Sequence, residues 1–229
     1  MEKTKQPSRL YGRRKGRPLH TRKKLLIQEL LPKLLIPLKE NTRTPPYEFF
    51  KDAKPAPVWM EVGFGGGEHL AAQAKLHPDT LFIGCEPFVN GVAGLLDAID
   101  REKLENVRIF NNDARIMLDA LSDSSIDKCF ILFSDPWPKK RHAKRRFVGP
   151  DNLERLARVL KPGGLLRLAS DHPSLIEWMH ECLSIHPDFV CDYAHDTPPP
   201  DWVPTRYQEK AIKAGRKPFF MDYRRKDSN

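Results

Sequence analysis

From residue 58 onward, short apolar runs alternate with amphipathic stretches. VWMEVG (58–63), LFIGCE (81–86), NVRIF (106–110), CFILFS (129–134) and LLRLA (165–169) are brief and largely apolar, so each predicts a strand buried on both faces. Between them, EHLAAQAKL (68–76), FVNGVAGLLDAIDREKL (88–104), ARIMLDAL (114–121), DNLERLARVL (151–160) and LIEWMHECL (175–183) predict helices. In 151–160, Leu153, Leu156, Ala157 and Leu160 share one helical face. Asp151 or Asn152 is the expected N-cap, and Lys161-Pro162-Gly163-Gly164 the expected stop. DFVCDY (188–193) and FFMDY (219–223) read as two closing strands, preceded by a loop at Pro198 to Pro200. The alternation predicts an α/β fold, a mostly parallel sheet with helices on both faces.

Composition changes this picture mainly at the N-terminus. The chain has 229 residues, enough for one sizeable core, with 40% hydrophobic and 30% charged residues. Its net charge of +9 is all in residues 1 to 24, where ten Lys and Arg face one acid; the remainder is balanced. We expect a basic, flexible arm over 1–40 and a single domain over 41–229. The arm reads either as a contact for a polyanion or as a solubilising tail. The apolar stretch 25–38 is interrupted by Glu29, Pro32, Lys33 and Pro37, so no membrane span is expected, and a cytoplasmic protein is. Cys85, Cys129, Cys182 and Cys191 form no CxxC, and the eight histidines have no ligand spacing. No metal is expected, and the cysteines read as reduced, buried apolar residues. Monomer or homodimer is left open.

Candidate chemistry gathers after the strands. EVGFGGGEH (61–69) joins the first strand to the first helix, and its glycines, Gly63 and Gly65 among them, allow close backbone approach to a ligand. Such a loop alone serves dinucleotide sites, S-adenosylmethionine sites and plain tight turns. Glu61, Glu86, Asp113 and Asp135 add four acids at or near the carboxyl ends of successive strands, the side where ligands bind in open α/β sheets. Glu86 stands where a carboxylate would bind a ribose diol. Four acids suit a cationic ligand such as S-adenosylmethionine better than a pyrophosphate; N-caps and turn acids are the plainer alternative.

After Asp135 comes an unusual join, SDPWPKKRHAKRR (134–146). Pro136 and Pro138 stiffen the turn, and Trp137 is suited either to core packing or to stacking on a base. Lys139, Lys140, Arg141, Lys144, Arg145 and Arg146 follow, as phosphate contacts or as a solvated helix start. His142 reads as an RNA-side or solvent residue rather than a base.

These stretches resemble the bacterial tRNA (guanine-N7-)-methyltransferases, the TrmB family, in EVGFGGG (61–67), FIGCEPFVNGV (82–92), NND (111–113), DPWPKKRHAKRR (135–146), LKPGG (160–164), SDHPSLIEWM (170–179) and TRYQEK (205–210). The glycine loop and LKPGG are generic; DPWPKKRHAKRR together with TRYQEK is specific. The resemblance implies a Rossmann-like class I methyltransferase fold, with a mostly parallel seven-stranded sheet and an antiparallel closing strand. It implies S-adenosyl-L-methionine as cofactor and the variable-loop guanine of tRNA as acceptor. It makes Glu61, Gly63, Gly65, Glu86, Asp113 and Asp135 cofactor contacts, with Asp135 also catalytic. Lys139, Arg141, His142, Ala143, Lys144, Arg145, Arg146, Asp171, Thr205, Arg206, Tyr207 and Gln208 become substrate or RNA contacts. Two positions depart from the family: Ser170 replaces its Thr and keeps the hydroxyl, and Gln208 replaces its Glu, where a neutral amide cannot repeat a carboxylate-specific contact. The competing readings are an NAD-dependent oxidoreductase, which the acids disfavour, a non-catalytic RNA-binding protein of the same fold, and a protein methyltransferase.

Overall fold

The computed structural model describes residues 11–38, 42–50 and 55–227. Lys3, Lys5 and Arg9 of the basic arm lie outside the described residues. The chain begins with α1 (Thr21–Glu29) and α2 (Leu31–Leu34), then a 3₁₀ turn at Pro46–Phe49. The alternating part follows as β1 (Val58–Val62), α3 (Glu68–Leu76), β2 (Leu81–Cys85), α4 (Val89–Glu102), β3 (Val107–Phe110), α5 (Ala114–Ala120) and β4 (Ile126–Leu132). After a 3₁₀ helix at Lys140–Arg145 come α6 (Pro150–Val159), β5 (Leu160–Ser170), α7 (Pro173–Ser184), β6 (Phe189–His195), α8 (Arg206–Lys213) and β7 (Phe219–Arg225).

The seven strands form one sheet in the order β3-β2-β1-β4-β5-β7-β6. Strands β1 to β5 pair in parallel, and β7 runs antiparallel between β5 and β6. Side chains alternate across the sheet. Met60, Ile83, Cys129 and Leu166 pack on one side with Met117, Leu156 and Met179, while Phe82, Val107 and Ile109 pack on the other with Leu70, Leu95 and Leu34. Burial on both faces explains why the parallel strands read as unbroken apolar runs. The strand order reverses between β1 and β4, so the ligand crevice of this architecture falls between their carboxyl ends.

Three local expectations are corrected. The N-cap of α6 is Gly149, with Pro150 in the first turn; Asp151 lies inside that turn, and Asn152 donates to the Phe147 carbonyl at 2.7 Å. Proline's fixed φ and missing N–H suit the first helical position. Lys161 to Gly164 do end α6, but they already belong to β5, whose Leu160 pairs with Ile126 across a bulge. Cys191 is exposed, because β6 is an edge strand with its outer face in solvent; the other three cysteines are buried.

Helix α1 packs on α4. Arg22 bridges Asp97 and Asp100 at 2.8 Å each, exposed pairs that solvent screens. The larger anchor is apolar: Leu31 and Leu34 of α2 are buried against Ile109 and the α4 face.

Candidate active site

The glycine loop turns sharply from β1 into α3. Gly63, Gly65 and Gly67 have φ of 73°, 56° and 80°, a region that disfavours any Cβ. Helix α4 presses on the loop from behind: a Cβ at Gly91 would lie 2.0 Å from the Gly65 carbonyl oxygen, and one at Gly94 would lie 2.6 Å from that of Gly66.

Three of the four strand-end acids are buried and held. Glu86 accepts from the Gly65 and Phe88 backbone N–H groups, each at 2.9 Å. Burial pushes its carboxyl above the usual range; those two bonds oppose the shift, and the charges of Asp135 and Glu61 add to it. Glu61 lies 2.7 Å from His69 Nδ1, and His69 Nε2 is 3.3 Å from Gln73 Nε2. Asp113 is the N-cap of α5: it accepts from the Arg115 backbone N–H at 3.0 Å, while the Arg115 guanidinium contacts both its oxygens. The same carboxylate thus caps α5 and pairs with Arg115.

Asp135 differs. Its side chain is exposed and, among the described residues, has no hydrogen-bond or ion-pair partner. The backbone on either side is strained: Phe133 has φ 51° and Trp137 φ 41°, at a cost of about 1–3 kcal/mol each. Arg146 holds the turn, donating to the carbonyls of Pro136 at 3.0 Å and Trp137 at 3.4 Å and to Ser174 Oγ at 3.3 Å.

The basic run therefore divides. Lys139, Lys140, Arg141 and Lys144 are exposed, whereas Arg145 and Arg146 turn inward. Arg145 lies over the rings of Tyr11 and Trp137, at 4.6 and 5.0 Å. His142 meets Trp137 edge-on at 5.9 Å, and Ala143 is half-buried beside it. Trp137 is thus engaged by Tyr11, His142 and Arg145. The N-terminal segment continues past the same strand ends: the Val89 N–H donates to the Arg14 carbonyl at 3.0 Å, Arg14 bonds Asn112 at 3.3 Å, and Gly16 bonds Asn90 at 2.8 Å.

The remaining candidates come from the far side. Asp171 pairs with Arg216. Thr205 caps α8 through the Gln208 N–H at 3.0 Å, and Gln208 Oε1 accepts from the Trp202 indole N–H at 2.7 Å. The amide at position 208 thus has a neutral donor to serve, which needs no carboxylate. Arg206 lies 3.7 Å from Glu68, and the Tyr207 ring covers Gly65. The first turn of α8 leaves only a cavity of about 10 Å³ among Glu61, Gly63, His69, Leu132, Thr205 and Tyr207.

Sequence reading did not single out His69, Gln73, Trp202 or Tyr11. A signal for two of them was present: His69 and Gln73 are polar, four residues apart, on the face of α3 that buries Leu70 and Ala74. Among the described residues, no group of three or more His, Cys, Asp or Glu is placed to hold a metal, and no helix is long and apolar enough to cross a membrane.

A seven-stranded sheet of this order, with a glycine loop after β1 and acids at the next strand ends, is the fold of class I methyltransferases. Solved structures agree on the fold: the 16S rRNA methyltransferase KamB superposes with a TM-score of 0.60 at 14% identity, covering 82% of this chain and 96% of that one. An rRNA methylase from Streptococcus thermophilus gives 0.53 at 10% identity, covering 75% and 88%. The family model Methyltransf_4, described as "Putative methyltransferase", matches residues 55–221. The tRNA (guanine-N(7)-)-methyltransferase of Paramagnetospirillum magneticum is 47% identical, over 95% of this chain and 93% of its own length. That of Rhodospirillum rubrum is 43% identical over 98% and 91%. The chain belongs to the tRNA (guanine-N7-)-methyltransferase family.

Proposed function

We propose that this protein transfers a methyl group from S-adenosylmethionine to N7 of a guanine in tRNA, the guanine of the variable loop. The observation that carries the reading is the placement of Asp135, exposed and unpartnered, beside the buried cofactor-side acids and at the head of an exposed basic run. When bound, S-adenosylmethionine supplies an electrophilic methyl group on a sulfonium. The donor set fits that cation: the Glu86 carboxyl is raised first by burial and then by the charges of Asp135 and Glu61, and a positive ligand relieves that repulsion. Glu86 would hold the ribose diol with its free lone pairs, Asp113 the adenine amine, and Glu61 the ammonium group, with Gly63 and Gly65 lining the approach.

Guanine N7 carries a free lone pair at neutral pH, so the protein needs no general base. Its work is alignment and charge stabilisation. Alignment of two reactants is worth up to about 7–11 kcal/mol. Asp135 faces the purine, which becomes cationic, and accepts from its N1–H or exocyclic amine. Asp171, if released from Arg216, offers a second carboxylate to the base. Lys139, Arg141 and Lys144 bind phosphates, so tRNA affinity falls steeply with salt. Arg145 and Arg146 act one layer further in, holding Trp137 and the turn.

The test follows a labelled methyl group from S-adenosylmethionine into tRNA lacking 7-methylguanosine, with digestion to locate the labelled nucleoside. Label in 7-methylguanosine at the variable loop, lost in Asp135→Ala, is the expected result. Binding of both ligands without label in RNA would overturn the reading.

A further inference from the structure

We infer that His69 is a positioning residue for the cofactor: as a neutral ring with its proton on Nδ1, it orients Glu61 so that one carboxylate oxygen is committed and the other faces the amino-acid end of the ligand. This rests on the cofactor reading above. Glu61 and His69 are both buried, and both line the residual cavity under α8. A buried carboxylate is costly unless something donates to it, and His69 Nδ1 lies 2.7 Å from Glu61 Oε2. His69 Nε2 faces the Gln73 amide nitrogen at 3.3 Å. An amide N–H₂ only donates, so Nε2 is an acceptor, and the ring's one proton is on Nδ1. Phe130 and Trp202 flank the imidazole, with centroids 4.9 and 6.1 Å away, and fix its plane. Trp202 is itself anchored by Gln208, so the position that departs from the family holds one wall of this arrangement. Among the described residues Glu61 Oε1 has no hydrogen-bond partner, and it is left for the ligand's ammonium group.

Two ligands separate this role from general destabilisation. S-adenosylhomocysteine carries the amino-acid end, and 5′-methylthioadenosine lacks it. In His69→Leu, we expect affinity for S-adenosylhomocysteine to fall about tenfold, the scale of a lost bond to a charged group, while methylthioadenosine binds as to the wild type. His69→Asn, whose side-chain amide can stand in for Nδ1–H, should recover most of the loss. Equal losses for both ligands, or none, would overturn the assignment. In the wild type, long-range ¹⁵N–¹H NMR should show His69 as the neutral Nδ1–H tautomer; an imidazolium or an Nε2–H ring would equally overturn it. If the wild type bound neither nucleoside, the cofactor reading would fail instead, a result the NMR measurement does not share.

Discussion

The two halves of the site are built differently. On the side proposed for the cofactor, Glu61, Glu86 and Asp113 are buried, and each is pinned by a side chain or by backbone N–H groups. On the side proposed for the acceptor, Asp135 is exposed and without a partner among the described residues, between two residues in left-handed backbone. A pinned acid gives a fixed socket for a small ligand. A free acid on a strained turn keeps its bonding capacity for a large ligand that arrives later, and Arg146 holds the strain in place. On the proposed function, rigidity lies in the chain on one side and is completed by the substrate on the other.

The sharpest break in this comparison is Asp135→Ala. It should lower the single-turnover rate about 10²–10³-fold at saturating ligands while leaving the melting temperature unchanged, because the removed side chain is exposed and holds no hydrogen bond or ion pair among the described residues. Next comes Arg146→Met, which deletes the clamp but not the acid. A turn displaced by about 1 Å costs on the order of a hundredfold in rate, and stopped-flow with bound tRNA would show a loss in rate rather than in affinity. Lys144→Ala, only two residues away but exposed, should do the reverse: its rate with bound tRNA holds, and the salt dependence of binding becomes shallower by about one unit of slope.

A smaller effect sharpens the cofactor side. Burial first, then Asp135 and Glu61, raise the Glu86 carboxyl above its ordinary 4.5. A raised acid favours protonation in the folded state, so Glu86 adds stability as pH falls through its raised value, fully present below 4.5. Its acceptor capacity goes the other way. Affinity for S-adenosylmethionine should begin to fall at a pH above 4.5, and Glu86→Gln should flatten that dependence in a calorimetric titration.

Most of the sheet was legible because parallel strands buried on both faces leave no polar positions to confuse the period. The position of the acids was legible because the strand ends could be read from the apolar runs that precede them. Their partners were not. Nothing local marks Arg146 as turned inward and Lys144 as outward, since the difference lies in carbonyls that only the folded turn presents. The Glu61–His69 pair needed α3 to be laid against β1 before its polar face could be seen to matter. Helix α1 escaped notice because its hold on α4 is a set of contacts distant in sequence rather than a strong period of its own.

Gly91 and Gly94 extend the candidate site beyond the residues proposed to touch a ligand. Their two missing methyl groups are what let α4 lie against the loop carbonyls, so the depth of the binding crevice is set from the rear. In a saturation mutational scan, both positions should tolerate as little as Glu86 does, and alanine would be scored as a binding defect. A map of intolerance drawn over this surface would therefore outline the ligand and, behind it, a second silhouette: the helix on which the loop rests.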